Sequence, residues 1–468
     1  MPDTGQVLPE DKLPRNRKNR MLSVARFLRR AGIDRAVGFT VLGRGWNALA
    51  GLVTLLLMTR FLSPNQQGYY VTFGSVLGLS VFFEMGLFMV LVQFASHEKS
   101  RLEWTPAGTL EGDPAAKARL ASLLRLSLKW YGIAALLLFA TLLPVGLFFF
   151  SQHPYPGIYW QIPWVWIVLV TALTVALTPV LTLLEGCGLI AEIARLLVWQ
   201  NVLGSVLLWI VLIGHGGVYT VPVTNTVVLV CQIVWVVSRK RHFLADLLGY
   251  DGHAARIDWH REIWPMQWKI GLSSISGYLI FQLFNPVLFA TQGARVAGQM
   301  GLSLSVIGTV ASIALSWVAT KAWTFGAQIA RREYAELDRL FFPAFWRSLG
   351  LVIFACGSVW GVGWYLHAAH FPIGTRILPP LPLGLLAAAA VVNHVTFAEA
   401  IYLRAHKQEP FLALSLITAF FIALATLLLS VPFGVTGIMV CYFVICIGSL
   451  IGATSIFVRK RREWHTIL

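Results

Sequence analysis

The chain alternates long apolar runs with short polar connections over nearly its whole length. Each apolar run is about 20 residues long, which is the length that crosses the ~30 Å hydrocarbon core of a bilayer as an α-helix. The runs are continuous, whereas strands of a membrane barrel alternate apolar and polar residues. The pattern therefore predicts an all-α polytopic membrane protein with twelve spans. They are placed at 36–58, 69–94, 127–150, 163–184, 196–214, 217–237, 269–290, 300–322, 346–366, 381–403, 410–430 and 434–457.

The positive charges predict the orientation of these spans. If alternate connections lie on opposite sides of the membrane, all but four of the 37 Lys and Arg residues fall on one side or beside it. Basic connections are retained in the cytoplasm, so both termini and the connections 95–126 and 238–268 are expected there, with the chain in the inner (plasma) membrane. The four exceptions are Arg60, Arg295 and Arg376 in outer loops and Arg44 within the first span.

Composition narrows the classes of function. Only 12% of residues are charged and the mean hydropathy is +0.70, whereas a soluble domain carries about 25% charged residues. The net charge of +16 is explained by cytoplasmic loops and by attraction to membrane lipids. We therefore expect no nucleic-acid partner. The five cysteines lie on or beside apolar segments without a CxxC pair, so buried thiols are expected instead of disulfides or metal ligands.

An enzyme is disfavoured by the lack of reactive groups. The outer loops 151–162, 291–299 and 367–380 contain no Asp or Glu, and no HExxH, DxD, GxSxG or Walker motif is present. We therefore expect no catalytic residue and no cofactor. A membrane glycosyltransferase or polymerase is the least favoured of three functional hypotheses.

The two halves of the chain look like copies of one unit. Residues 36–237 and 269–457 each hold six spans, and the basic connection 238–268 separates them. Since six is even, both copies insert with the same orientation, which predicts two six-helix lobes related by a parallel repeat. Segments 1–35 and 458–468 flank the lobes, and a surface helix is predicted at 21–33.

Residues 59–70, Thr-Arg-Phe-Leu-Ser-Pro-Asn-Gln-Gln-Gly-Tyr-Tyr, resemble the signature of bacterial polysaccharide flippases. These belong to the multidrug, oligosaccharidyl-lipid and polysaccharide exporter superfamily. Segments 297–302 and 326–333 are also similar to that family. The resemblance implies two lobes around a central cavity and transfer of isoprenoid-diphosphate-linked glycans from the inner to the outer leaflet. Glycan polymerases and glycosyltransferases would be partners. A cation-coupled multidrug exporter of the same superfamily is the alternative.

Three ionisable residues are predicted at similar depth inside the membrane, where such groups usually have a function. Arg44 lies about 12 Å, Glu84 about 15 Å and His394 about 14 Å from the inner surface at 1.5 Å per residue. Arg44 could bind phosphate oxygens through two parallel bonds, or form a structural ion pair with Glu84. An adjacent arginine keeps a carboxylate ionised, which favours this pair over a proton-carrying Glu84. For His394, a hydrogen bond to a neighbouring helix is favoured over substrate contact.

Other polar residues complete the candidate substrate site. Lys129, Lys269 and Lys321 lie near inner span ends, where they either extend to the membrane surface or surround the mouth of a cavity. Gln282 and Asn285 lie within the seventh span, where amides bond helices together or bind sugar hydroxyls. The full set of candidates is Arg44, Glu84, Lys129, Lys269, Gln282, Asn285, Lys321 and His394.

Overall fold

A computed structural model describes residues 35–250, 256–406 and 408–465, and these form an almost wholly helical chain. Within them, eleven helices are long and apolar enough to cross a membrane, and a bent helix pair makes the twelfth. The prediction of twelve helical spans in an all-α protein is therefore confirmed. The surface helix predicted at 21–33 lies outside the described residues. Below, "inner" and "outer" denote the two sides predicted from the charges.

The first six spans occupy residues 35–239. Span 1 is α1 (Arg35–Phe61), and span 2 is bent, with α2 (Pro64–Leu77), α3 (Val81–Glu84) and α4 (Leu87–Lys99) in sequence. Spans 3 to 6 are α5 (Pro114–Ser151), α6 (Gln161–Gly186), α7 (Ile190–Ile213) and α8 (Thr220–Arg239).

The second six spans follow a short surface helix, α9 (Arg241–Gly249), and a π-helical turn, Trp259–Ile263. Span 7 is α10 (Trp264–Phe281) with α11 (Phe284–Gln292), and span 8 is α12 (Ala294–Ala319) with α13 (Ala322–Ala330). Spans 9 to 12 are α14 (Tyr334–Ala368), α15 (Pro380–Ala405), α16 (Leu412–Leu429) and α17 (Gly434–His465).

The connection between spans 2 and 3 differs from the loop that we expected. It forms an antiparallel hairpin of β1 (Leu102–Trp104) and β2 (Leu110–Gly112). Trp104 packs on Phe243 of α9, with ring centroids 5.2 Å apart. Burial of these apolar side chains stabilises a hairpin too short to be recognised by hydrophobic alternation. The hairpin and α9 together cover the inner surface of the first lobe.

Spans 2 and 7 run antiparallel and pack against each other along their length, an interface that we call the seam. Near its inner half, a Cβ atom on Gly86 would lie 2.5 Å from Cγ2 of Ile270, so only glycine permits this approach. Near its outer end, the rings of Tyr69 and Phe289 lie 5.0 Å apart. The seam therefore joins the first lobe to the second at several depths.

Ion pairs fasten the inner end of the seam. Arg119 of span 3 donates from Nε to Glu98 Oε1, at the end of span 2, over 2.8 Å. The same guanidinium pairs with Glu262 at the start of span 7. One arginine thus links the inner ends of spans 2, 3 and 7.

The outer ends of spans 2 and 8 cross at very short range. A Cβ atom on Gly68 would lie 1.9 Å from the carbonyl oxygen of Ala294, and one on Gly298 would lie 2.9 Å from the Gly68 nitrogen. Small residues let two membrane helices approach this closely. Buried Gln67 donates from Nε2 to the carbonyl oxygen of Gly298 over 2.9 Å. The outer side of the lobe interface is therefore closed.

Arg376, in the outer loop after span 9, adds a second contact between the lobes. Its Nη2 donates to the carbonyl oxygens of Thr59, over 3.1 Å, and Leu62, over 2.7 Å. These carbonyls lie at the end of α1, where the helix dipole favours a positive charge. Burial and the nearby charge of Arg295 lower the pKa of Arg376.

In a parallel repeat of six spans, span 1 corresponds to span 7 and span 8 corresponds to span 2. Spans 1 and 8 nevertheless pack differently from spans 2 and 7. Span 1 packs mainly on span 5, where Trp209 Nε1 donates to Thr54 Oγ1 over 2.9 Å. Among the described residues, spans 1 and 8 approach each other near their outer ends and leave Asn47 and Thr309 exposed farther inward. We call the inner half of these two spans, where Asn47 and Thr309 are exposed, the side opening.

The orientation predicted from the charges can be tested by cysteine labelling in intact cells. Pro156→Cys and Thr375→Cys lie on exposed outer loops and should react with a membrane-impermeant maleimide. Ala107→Cys, at the tip of the β-hairpin, should react only after permeabilisation. The native Cys187 is a weak background site, because burial raises the pKa of its thiol to about 12. Labelling of Ala107→Cys in sealed cells would contradict the orientation.

Candidate functional site

A cavity of about 380 Å³ lies in the second lobe among spans 7, 8, 10 and 12. We call it the polar cavity because amide, hydroxyl and imidazole groups interrupt its apolar wall. It brings together three of the predicted site residues, Gln282, Asn285 and His394. The other polar groups that line it belong to Ser305, Ser312, Asn393 and Tyr442.

A break in span 7 places Gln282 and Asn285 in this wall. Helix α10 ends at Phe281 and α11 begins at Phe284, so span 7 is interrupted at mid-length. Pro286 explains the break, because proline has no N–H to bond the carbonyl of the residue four positions earlier, which is Gln282. Irregular backbone inside a membrane occurs where it lines a cavity.

Ser75 of span 2 links these two amides across the seam. Asn285 Nδ2 donates to Ser75 Oγ over 2.8 Å, and Ser75 Oγ donates to Gln282 Oε1 over 3.1 Å. Both Ser75 and Asn285 are buried, and the Oδ1 oxygen of Asn285 has no hydrogen-bond partner among the residues that the structure describes. The network therefore joins the two lobes and leaves one buried acceptor in the cavity wall.

His394 bonds a neighbouring helix, as predicted, and is 1% exposed. Its Nε2 lies 2.8 Å from Oγ of Ser348 on span 9. The Ser348 hydroxyl donates its proton to the Ala314 carbonyl over 2.6 Å. The histidine must then donate from Nε2, which leaves Nδ1 as an acceptor on the ring that lines the cavity.

The polar cavity is electrically neutral in its lining. None of the residues that line it is an Asp, Glu, Lys or Arg. The opposite wall adds Asn393, whose Nδ2 donates to the hydroxyl of Tyr442 over 3.0 Å. Such donors and acceptors suit uncharged hydroxyl-bearing ligands. Within the described residues, no group of three His, Cys, Asp or Glu is placed to hold a metal ion.

Arg44 lies outside the polar cavity, on the side opening. Leu55, eleven residues later on span 1, faces span 8 in the outer half of the membrane. Eleven residues are close to three helical turns, so Arg44 lies on the same face of span 1, about 16 Å farther inward. Its side chain is exposed. A fixed positive charge therefore lies on the side opening.

The predicted ion pair between Arg44 and Glu84 is wrong. Glu84 ends α3 at the bend of span 2, where α2–α3 and α4 meet at 49° and Met85 and Gly86 have positive φ angles. Its carboxylate accepts a hydrogen bond from Ser80 and has no cation within 4 Å among the described residues. Span 1 packs on span 5, which keeps Arg44 away from this bend.

The three candidate lysines are not gathered at the polar cavity. Lys129 and Lys269 are exposed, and Lys321 is half-buried between α12 and α13. Lys269 Nζ lies 5.8 Å from the centroid of the Trp268 ring. These positions on separate spans agree with side chains that extend towards the inner surface. A role in attracting an anionic substrate stays a prediction.

The sequence does not predict the roles of Ser75, Ser348 and Tyr442, because these roles depend on partners far away in the chain. A signal did exist in span 8, where small polar residues recur at helical spacing on one face. Ser305 and Ser312 of this set line the polar cavity. The repeat of three or four positions places such residues on one side of a helix.

Neither a protein-family model nor a curated protein sequence matches the chain. Solved structures do match. An inward-facing multidrug resistance MATE family transporter of the MOP superfamily is 15% identical, with a TM-score of 0.58, over 90% of this chain and all of the matched chain. The chain and this transporter share a fold.

Two further matches have different substrates in their names. The lipid II flippase MurJ, in an inward closed conformation, is 10% identical, with a TM-score of 0.59 over 92% of this chain and 90% of its own. The MATE multidrug transporter DinF-BH is 14% identical, with a TM-score of 0.59 over 91% of this chain and 95% of its own. At these identities the likeness is one of fold.

The role of Ser75 as a link between lobes predicts a stability effect. Ser75→Ala should lower the melting temperature in detergent, because it leaves Asn285 Nδ2 unbonded at a cost of about 1–3 kcal/mol. Ser305→Ala is the matched control, since its hydroxyl only bonds Gly301 of its own helix. Equal melting temperatures for the two variants would show that the Ser75 network does not hold the lobes together.

The separation of Arg44 from Glu84 predicts independent effects. Residues without shared partners give additive changes in stability within about 0.5 kcal/mol. Arg44→Gln and Glu84→Gln should therefore change the melting temperature by amounts that add in the double variant. If Arg44→Gln instead rescued the stability of Glu84→Gln, the two residues would interact as an ion pair, and the separation seen in the structure would be contradicted.

Proposed function

We propose that this protein transports isoprenoid-diphosphate-linked oligosaccharides from the inner to the outer leaflet by alternating access. The observations that carry the proposal are the side opening, which Arg44 borders, and the neutral polar cavity on the other face of span 8. An anionic headgroup suits the arginine, whose guanidinium binds phosphate oxygens through two parallel hydrogen bonds.

The exposure of Arg44 within a span supports a lipid as the substrate. A charged side chain that is exposed inside the membrane can bind a polar headgroup while the hydrocarbon chain of the lipid stays in the bilayer. The outer side is closed by Gly68, Gln67 and Arg376, so the opening faces the leaflet in which the substrate would be loaded.

The charges support a glycan more than a cationic drug. The polar cavity has no acidic residue in its lining to attract a cation. Its Gln282, Asn285, Asn393 and His394 offer neutral donors and acceptors of the kind that sugar hydroxyls need.

A cation-coupled multidrug exporter is the second candidate function, and Glu84 is the observation that favours it. This carboxyl group lies at the bend of span 2 without a cation within 4 Å among the described residues. A proton taken up there could drive movement of the bend.

In the proposed setting, the protein lies in the inner (plasma) membrane with cytoplasmic termini. Glycosyltransferases would build its substrate at the inner surface, and a glycan polymerase would use it at the outer surface.

Arg44 gives the direct test of the proposal in vesicles that contain a polyprenyl-diphosphate oligosaccharide. Arg44→Ala should reduce translocation by about tenfold or more, since charge-assisted bonds contribute about 1.5–3 kcal/mol. Arg44→Lys should restore part of it, because lysine keeps the charge without the planar fork.

Arg195→Ala is the matched control, because it removes an exposed arginine from the neighbouring span 5. It should transport at the wild-type rate when membrane abundance is equal. Wild-type transport by Arg44→Ala would overturn the role of Arg44. Transport of cationic dyes without any transport of the glycan lipid would favour the multidrug alternative.

A further inference from the structure

Span 8 has a second cavity on the face opposite the polar cavity. This apolar cavity has a volume of about 280 Å³ and lies in the outer half of the membrane, among spans 1, 8, 9 and 10. Leu55 of span 1, Leu302 and Val306 of span 8, and Val362 of span 9 line it. Its few polar groups are hydroxyls such as those of Thr59 and Ser303.

The face of span 1 that borders this cavity is amphipathic along its length. Its outer part carries Leu55, and its inner part carries Arg44, about 16 Å away at 1.5 Å per residue. Gly51 lies between them on the same face and adds no side chain. A ligand lying along this face would meet a positive charge at the inner end and an apolar cavity at the outer end.

An anionic lipid of the inner leaflet has the same polarity. Its charged headgroup lies towards the inner surface and its hydrocarbon chain points towards the outer leaflet. The charge complementarity with Arg44 therefore orients such a lipid with its chain directed at the apolar cavity.

We propose that the apolar cavity binds the first part of the isoprenoid chain of the substrate, while Arg44 binds its diphosphate. This inference rests on the proposed function and adds a binding site for the tail. Span 8 then separates the two ends of one ligand, with the glycan in the polar cavity on one face and the chain on the other.

The dimensions fit one chain. An apolar cavity of ~150 Å³ binds a benzene ring. A cavity of about 280 Å³ therefore has room for roughly ten carbon atoms of one chain by the same measure. A phospholipid would leave its second chain outside such a cavity, whereas an isoprenoid diphosphate has only one chain to place.

Photo-crosslinking in nanodiscs tests the site. The probes are polyprenyl diphosphates with a diazirine in the first or the last third of the chain, and the labelled peptides are identified by mass spectrometry. The first-third probe should label residues 302–306 and 358–366, and the last-third probe should label lipid-facing surfaces instead. Unlabelled polyprenyl diphosphate should compete, whereas phosphatidylglycerol at the same mole fraction should not.

Two substitutions on span 9 form a matched pair. Val362→Trp fills the apolar cavity and should lower labelling there by about tenfold, because the chain loses several buried methylene groups. Phe354→Trp is the control, since Phe354 lies on the same helix outside the cavity lining. Val362 is 58% exposed and Phe354 74% exposed, so neither change disturbs a packed core.

Arg44→Ala distinguishes the contribution of the diphosphate headgroup to binding from that of the isoprenoid chain. It should lower labelling by the diphosphate probe but leave labelling by a neutral polyprenol of the same length unchanged. Equal labelling of the cavity by a diazirine phosphatidylglycerol, without competition by polyprenyl diphosphate, would overturn the proposal.

The outcomes also distinguish this inference from the proposed function. If vesicles transport the glycan lipid while the first-third probe labels lipid-facing surfaces evenly, the tail site is wrong and the proposed function stands. If the cavity is labelled specifically but no glycan lipid is transported, the site is supported and the proposed function is wrong.

Discussion

Spans 2 and 7 pack along their whole length, and the arrangement of the two lobes depends on this seam. Gly86 permits a close approach at one depth, and Ser75 bonds both amides of span 7 at another. Arg119 ties the inner ends together. In a parallel repeat, spans 1 and 8 are the counterpart of this pair, yet span 1 packs mainly on span 5 and Asn47 and Thr309 are exposed. The side opening is therefore a break in the symmetry of the repeat, since the two related pairs of spans pack differently.

Span 8 contributes to two surfaces of different polarity. Span 8 has its polar cavity on one face and its apolar cavity on the other, and Gly68 fits against its outer end. Arg376 caps the carbonyls at the end of span 1, which holds the outer ends of the lobes together. In the proposed mechanism, these outer contacts break when the side opening closes, while the seam remains the axis of movement.

The number and approximate positions of the spans could be predicted because each span must be apolar over the thickness of a bilayer. Helices such as Pro114–Ser151 extend well beyond the predicted span, because their polar ends lie outside the apolar run. The similar depth of Arg44, Glu84 and His394 stays a prediction, whereas three of the candidate site residues, Gln282, Asn285 and His394, do share one cavity. The direction of a side chain around its helix was not predictable, because it depends on which spans pack together. The predicted ion pair of Arg44 with Glu84 is wrong for this reason, since span 1 packs on span 5. The β-hairpin was missed because its strands have three residues each.

The most direct test measures the two interfaces separately by electron–electron distance spectroscopy in nanodiscs. Spin labels at Asn47 and Thr309 report on the side opening, and labels at Phe88 and Trp268 report on the seam, all at exposed positions. On addition of polyprenyl-diphosphate oligosaccharide, we expect the Asn47–Thr309 distance distribution to shift to shorter values while the Phe88–Trp268 distribution stays unchanged. A shift of the Phe88–Trp268 distance with a constant Asn47–Thr309 distance would contradict a movement about the seam.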